Sequence, residues 1–471
     1  MMTQSTTTQE RTGPQEHIHN HYRFRRIRDG YLIVSEQGSW VYLDKDNFRK
    51  MQAGKAEGGL YETLVRKGIL ITQDNILELI EMQRKRFGFL YSGVSLHIIV
   101  PTLRCNQKCL YCHSSSRRMS EQGYDMKPET VIKTVEFILQ CPNRTIKIEF
   151  QGGDSLANFG LFKSIVDEVK KQNAHHGKKI FFSIVTNLTM MKEEYLEWIQ
   201  KEGINICTSL DGPKEVHDSS RVYESGKGTY DDVTGWIARM KKRGINVSAL
   251  MVTTRKSLGK WKEIIDEYAR LGMMMIQLKY LDRIGFAEDE WKQIGYTMDE
   301  FMDFWKKGVD YIIELNKKGI RMRERFVELI LKKILTGSEP GFLDFRNPCG
   351  AVIGQLAYNY NGDIHSCDEG RGYGIFKAGN VFQDSYKQIF EKKDNQGIMS
   401  AAINETTLCD ACIYKPYCGL CPVVTYAEQG NLIPKLATNF KCRLSKMQLD
   451  YVFEKILFDD EARKIFMSWM G

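Results

Sequence analysis

Between residues 95 and 279 short apolar runs alternate with longer stretches whose apolar positions recur three and four apart. The runs predict strands over 96–100, 146–150, 180–186, 204–209, 247–253 and 276–278, and the periodic stretches predict helices over 129–139, 161–172, 194–201, 230–243 and 260–270. Successive strand-then-helix units imply an α/β fold of parallel strands joined by right-handed crossovers, open or closing toward a partial barrel. In either form ligands gather at the carboxyl ends of the strands, so the residues just after each run should carry the chemistry.

The flanks have a different texture. Alternation over 31–35 and 40–43, around the turn at 36–39, predicts a hairpin; Leu60, Leu64 and Val65 ahead of 68–71 predict a helix leading into a strand. Residues 22–90 thus form a small α+β module, preceded by a polar tail over 1–21 whose His17, His19 and His21 read as solvated. The repeating region is taken as 91–300. Helices over 301–317 and 323–335 make a bridge spanning 301–348, a cysteine-dense region covers 349–450 with a short strand near 355–360, and a helix over 451–471 ends the chain.

Composition narrows the class. Of 471 residues 42% are hydrophobic, ample for several cores. No apolar stretch approaches the roughly 20 residues that span a bilayer, and the first residues lack the apolar segment of a signal peptide, so a cytoplasmic protein without a membrane partner is expected. A net charge of +8 is mild and spread along the chain, without the dense basic stripe of a nucleic-acid binder. Twelve cysteines then stand out, because a reducing compartment does not sustain structural disulfides.

Their spacing is informative. Cys105, Cys109 and Cys112 follow the first strand with three and then two residues between them. Three thiolates in one loop suit three corners of a [4Fe–4S] cube and leave the fourth iron open to another ligand. A structural zinc site asks for four protein ligands, and His113, next to Cys112, cannot easily reach the same metal. Other polar motifs stand at later strand ends: Gly152, Gly153 and Asp154 after the second, Asn187 after the third, Ser209, Asp211 and Arg221 after the fourth. Downstream come Cys349, Cys367, Cys409, Cys412, Cys418, Cys421 and Cys442, an odd set that cannot pair fully into disulfides. Cys141 and Cys207 read as packing thiols.

The C-x3-C-x2-C loop, with Tyr111 just before its last cysteine and the later motifs in register, resembles the signature of the radical S-adenosylmethionine (SAM) superfamily. That resemblance implies a SAM-binding [4Fe–4S] cluster on Cys105, Cys109 and Cys112. It implies contacts to SAM from Tyr111, Gly152, Gly153, Asp154, Asn187, Ser209 and Arg221, and a 5′-deoxyadenosyl radical that takes a hydrogen from an unactivated carbon. The later cysteines resemble the SPASM extension of peptide-modifying members. By that likeness Cys409, Cys412, Cys418 and Cys442 ligate one auxiliary [4Fe–4S] cluster, and Cys349, Cys367 and Cys421 the other, which then has a non-cysteine ligand or an open iron.

Over about 22–450 the chain is most similar to the His-Xaa-Ser system radical SAM maturases of the B type. This likeness implies a ribosomally made precursor peptide with His-Xaa-Ser repeats, a second radical SAM maturase as partner, and an electron donor such as flavodoxin or ferredoxin. A side-chain crosslink is the expected product and Asp211 the acid–base candidate. The N-terminal module either holds the leader of the precursor at a sheet edge or caps the barrel. One rival is an anaerobic sulfatase-maturating enzyme, which oxidises Cys or Ser to formylglycine. Another is an iron–sulfur electron-transfer or sensor protein without catalysis, which leaves the open iron and the SAM motifs unexplained. Three cubes predict roughly twelve irons per chain after anaerobic reconstitution. An iron assay giving only about four would leave the C-terminal cysteines without clusters.

Overall fold

A computed structural model describes residues 17–341, 345–405 and 407–470; most of the expected tail, residues 1–16, lies outside the described residues. The chain forms two compact units. One runs to Phe87 and includes Ala411–Pro416, and the other comprises Gly88–Asp410 with Tyr417–Gly471.

In the N-terminal unit, strands Tyr22–Ile27, Gly30–Ser35 and Trp40–Asp44 form an antiparallel sheet in that order. The second and third are the expected hairpin. The first is hidden in the sequence because its arginines break the apolar alternation, although Arg23 is buried against Glu36 at 2.7 Å. The Asp44 side chain caps helix Lys45–Gln52. That helix and Gly58–Arg66 bury Phe48, Met51 and Leu64 together with Ile33 and Leu43 of the sheet. Ile18–His19 pairs with Leu70–Ile71, so residues 17–21 belong to this unit and not to the expected tail.

The larger unit is built on one sheet. Strands Leu96–Thr102 (β1), Thr145–Gly152 (β2), Lys179–Val185 (β3), Asn205–Ser209 (β4), Val247–Val252 (β5) and Leu278–Lys279 (β6) lie side by side in chain order, all parallel. Helices Pro128–Leu139 (α1), Phe159–Asn173 (α2), Glu193–Lys201 (α3), Tyr230–Lys242 (α4) and Trp261–Arg270 (α5) separate them, the partial barrel that the alternation implies. Along β2 Ile146, Ile148 and Phe150 are buried, with the Phe150 ring 4.6 Å from Phe162 of α2. The alternate residues Lys147, Glu149 and Gln151 face the other way.

Beyond the barrel, helices Met298–Lys317 (α6) and Arg325–Thr336 (α7) form the bridge; α6 starts at a capping box between Thr297 and Glu300. The next strand, Gln355–Tyr358 (β7), is buried throughout and pairs in parallel with β1, Gln355 opposite Leu96. Asp363–His365 (β8) and Lys377–Asn380 (β9) continue the same sheet antiparallel. The cysteine-rich region therefore extends the barrel sheet. Helix Phe440–Phe458 (α8) runs through the boundary expected at 450, because Cys442 and the buried Leu449, Val452 and Phe453 share one uninterrupted helix. No helix among the described residues is long and apolar enough to cross a membrane. Phe150→Ala is expected to lower the unfolding free energy by about 3–5 kcal/mol, since the ring fills a gap between sheet and helix. Denaturant unfolding measures it.

Candidate active site

At the carboxyl ends of the parallel strands lies a cavity of about 580 Å³. Cys105, Cys109 and Cys112 line it, and so do Tyr111, Gly152, Gly153, Asn187, Ser209 and Arg221. The strands thus bring to one chamber nearly every residue singled out from the motifs.

The cysteine loop has little regular structure and is shaped by what it leans on. Gly153 N donates to Thr102 O at 3.0 Å and Asp154 N to Arg104 O at 2.9 Å. A Cβ on Gly152 would stand 2.4 Å from Thr102 O, and one on Gly153 would stand 2.3 Å from the carbonyls of Leu103 and Arg104. Both glycines border the cavity, but what requires them is the close passage of the cysteine loop. Asp154 does not line the cavity. Its buried carboxylate accepts from Leu156 N, Asn187 N and the Thr186 hydroxyl, which locks the ends of β2 and β3 together. Burial raises its carboxyl to about 6 against those donors. Asp154, expected to contact SAM, is in this structure directed away from the cavity and into the brace between β2 and β3. Asn187 reaches back to the loop, its amide 3.1 Å from Asn106 Oδ1 and 3.5 Å from Cys105 Sγ.

Asp211 also departs from expectation. It is 1% exposed and does not line the cavity. Its carboxylate accepts from Tyr111 Oη, from Arg221 Nε at 3.1 Å and from Val252 N at 3.2 Å. Arg221 in turn lies over the Tyr111 ring, 5.1 Å from its centroid, and directs Nη1 to Cys109 Sγ at 3.8 Å. Asp211 thus joins Arg221 to Tyr111 of the cysteine loop, and in this structure the oxygens of the expected acid–base candidate are engaged by those donors and by Val252 N. The carboxylates that do line the chamber are Glu149, Asp282, Asp368 and Glu369.

Several residues were not singled out from the sequence. Glu149 accepts from Lys147 at 2.6 Å, Gln151 at 2.7 Å and Ser183 at 2.9 Å, making a polar floor whose signal was the period of two along β2. Cys207, expected as a packing thiol, faces this chamber, whereas Cys141 is buried and donates to Val94 O at 3.1 Å. His113 Nε2 stands 2.8 Å from Asp368 Oδ2, and Arg371 bonds both Asp368 and Ser114, so the end of the first cysteine loop is tied to the residue after Cys367. Burial alone would raise the Asp368 carboxyl, but Arg371 and His113 hold it well below its usual range.

The donor set fits iron–sulfur chemistry. Backbone amides point at thiols at both cysteine regions: Gln107 N at Cys105 Sγ (3.4 Å), Gly370 N at Cys367 Sγ (3.3 Å) and Val424 N at Cys421 Sγ (3.5 Å). Such donors stabilise the anionic sulfurs of a ligated cluster. Burial pushes the Cys109 thiol up to about 12 despite Arg221, so deprotonation must accompany metal binding. Among the described residues no group of His, Cys, Asp and Glu converges as a single ion would need. Cys349, Cys367 and Cys421 surround a second cavity with Glu369, Lys441 and Tyr280. Cys409 and Cys442 are buried and Cys418 half-buried, and Cys412 lies in the segment that belongs to the N-terminal unit. Asp211→Asn leaves buried Arg221 without its counter-charge and is expected to cost about 3–5 kcal/mol of stability, measured by chemical unfolding. Unchanged stability with turnover abolished would return Asp211 to the acid–base role.

Comparison with known proteins agrees with this geometry. The family model of the radical SAM superfamily matches residues 99–268. A cysteine-type anaerobic sulfatase-maturating enzyme of Clostridium perfringens is 23% identical over 376 residues, covering 77% of this chain and 97% of that one. The solved structure of anSMEcpe with bound AdoMet matches with a TM-score of 0.68 at 21% identity, covering 79% of this chain and all of that one. Streptococcus suis SuiB bound to its precursor peptide SuiA matches with a TM-score of 0.53 at 16% identity, covering 87% of this chain and 96% of that one. The cysteine loop and strand-end residues, together with these likenesses, show a radical SAM domain over residues 99–268 in an enzyme similar to the anaerobic sulfatase-maturating enzymes.

Proposed function

We propose that the protein is a peptide maturase that modifies, by crosslinking, side chains of a ribosomally made precursor with His-Xaa-Ser repeats. The observation that carries a large, polar substrate is the chamber itself, about 580 Å³ in volume with a charged floor of Lys147 and Glu149 beside the three-cysteine loop. A reduced cluster with bound SAM supplies a 5′-deoxyadenosyl radical there. The chain's own residues do the rest. Arg221 and Asn187 set the loop at Cys109 and Cys105, Ser209 offers a hydroxyl to the chamber, and the buried β1 wall keeps water from one side.

The N-terminal unit is read as a leader-binding module. Among the described residues strand Tyr22–Ile27 pairs only with Gly30–Ser35, which leaves its outer edge for an added peptide strand. Phe24 is 49% exposed on it. SuiB and anSMEcpe share this fold and have each been solved with a bound peptide, which supports a peptide substrate. The sulfatase-maturing alternative is favoured by the likeness over 376 residues to the Clostridium perfringens enzyme. Auxiliary clusters on the seven later cysteines, a second maturase and a flavodoxin- or ferredoxin-type donor complete the proposal.

Mass spectrometry after anaerobic turnover separates the readings. A His-Xaa-Ser precursor is expected to lose two hydrogens per crosslink with 5′-deoxyadenosine formed alongside, and more slowly when its leader is removed. Formylglycine in a sulfatase peptide, with the precursor unchanged, would select the alternative; no 5′-deoxyadenosine with either would remove both.

A further inference from the structure

Two [4Fe–4S] cubes have eight irons to ligate, and seven cysteines follow the bridge. The missing ligand has a candidate in the fold. We propose that the Glu369 carboxylate is the fourth protein ligand of the cluster held by Cys349, Cys367 and Cys421, a proposal that rests on reading those three thiols as one auxiliary cluster site.

The three thiols and Glu369 line the same cavity. Glu369 opens the short 3-10 turn Glu369–Gly372, two residues past Cys367, and the same turn aims Gly370 N at Cys367 Sγ. Glu369 Oε2 is buried and has no hydrogen-bond partner among the described residues. A buried carboxylate oxygen without a donor is costly, and coordination to iron meets that need. The neighbouring acids are otherwise engaged. Asp368 is taken by His113 at 2.8 Å and Arg371 at 2.9 Å, and Asp282 faces Lys279 at 3.8 Å and Lys441 at 3.9 Å. Glu369 also lines the larger chamber. Glu369 therefore stands where the space around the three thiols meets the substrate space, and a carboxylate oxygen there would occupy the coordination position that three thiolates leave open.

The test uses the full chain with Cys105, Cys109 and Cys112 replaced by Ala, so that only auxiliary clusters load. Iron content comes first: loss of these clusters in the parent itself would sink the cluster reading and not the assignment of Glu369. With both clusters present, electron–nuclear double resonance of the reduced protein with ¹³C-cyanide reads open iron. The parent is expected to show no ¹³C coupling, Glu369→Ala to gain it with a shift in g-values, and Glu369→Cys to close the site again. Should Glu369→Ala fail to load iron, Glu369→Cys still decides, because a fourth thiolate must shift the Mössbauer parameters of one iron. Cyanide coupling in the parent equal to that of Glu369→Ala, or a Glu369→Cys spectrum identical to the parent, overturns the proposal.

Discussion

Two carboxylates buried at strand ends govern the rest of the site. Asp154 and Asp211 have almost no access to water, and a buried carboxylate is stable only when its oxygens find donors. Asp154 finds them on β2's own turn and at the end of β3; Asp211 finds them on Tyr111, Arg221 and the end of β5. Each therefore joins loops from different strands; Tyr111 belongs to the cysteine loop, and two further partners touch it. Arg221 reaches Cys109, and Asn187, whose backbone amide serves Asp154, reaches Cys105 with its side chain. A loop with little secondary structure of its own is thus given a defined shape by charge satisfaction beneath it.

The same logic explains why the motifs were legible and their roles were not. Residue types and strand-end positions could be read from the chain, because periodicity places the strands and topology places ligands at their carboxyl ends. Tyr111, Asn187, Ser209 and Arg221 indeed border one chamber. Asp154 and Asp211 belong to the same loops but point inward, and nothing in a one-dimensional pattern tells an acid that faces a cavity from one that braces it. Cys207 failed in the opposite direction: on β4 it shares a side with Ser209, so the period of two already placed it in the chamber. The strand Tyr22–Ile27 escaped because the charge pattern of its arginines hides a buried pair between Arg23 and Glu36.

Long-range pairing was the other thing that sequence could not supply. The cysteine-rich region reads as a separate domain in composition, yet Gln355 lies opposite Leu96 and the sheet continues through β8 and β9. This continuity fixes where Cys367 stands, two residues past β8, and the His113–Asp368 contact carries the same alignment to the first cysteine loop. The two cysteine regions are held in register by backbone pairing on one side and a charged side-chain contact on the other.

The pairing of β7 with β1 also bears on how the chain can be divided. All seven residues of β1 are buried, among them Leu96, Ile98 and Val100 packed with Ala357 of the strand beyond. A fragment ending at the compositional boundary near 348 would bare the edge of apolar β1 that β7 now covers, a template for pairing with other chains. The barrel and the cysteine-rich region are consequently one folding piece, and their seam is where aggregation would begin if they were parted.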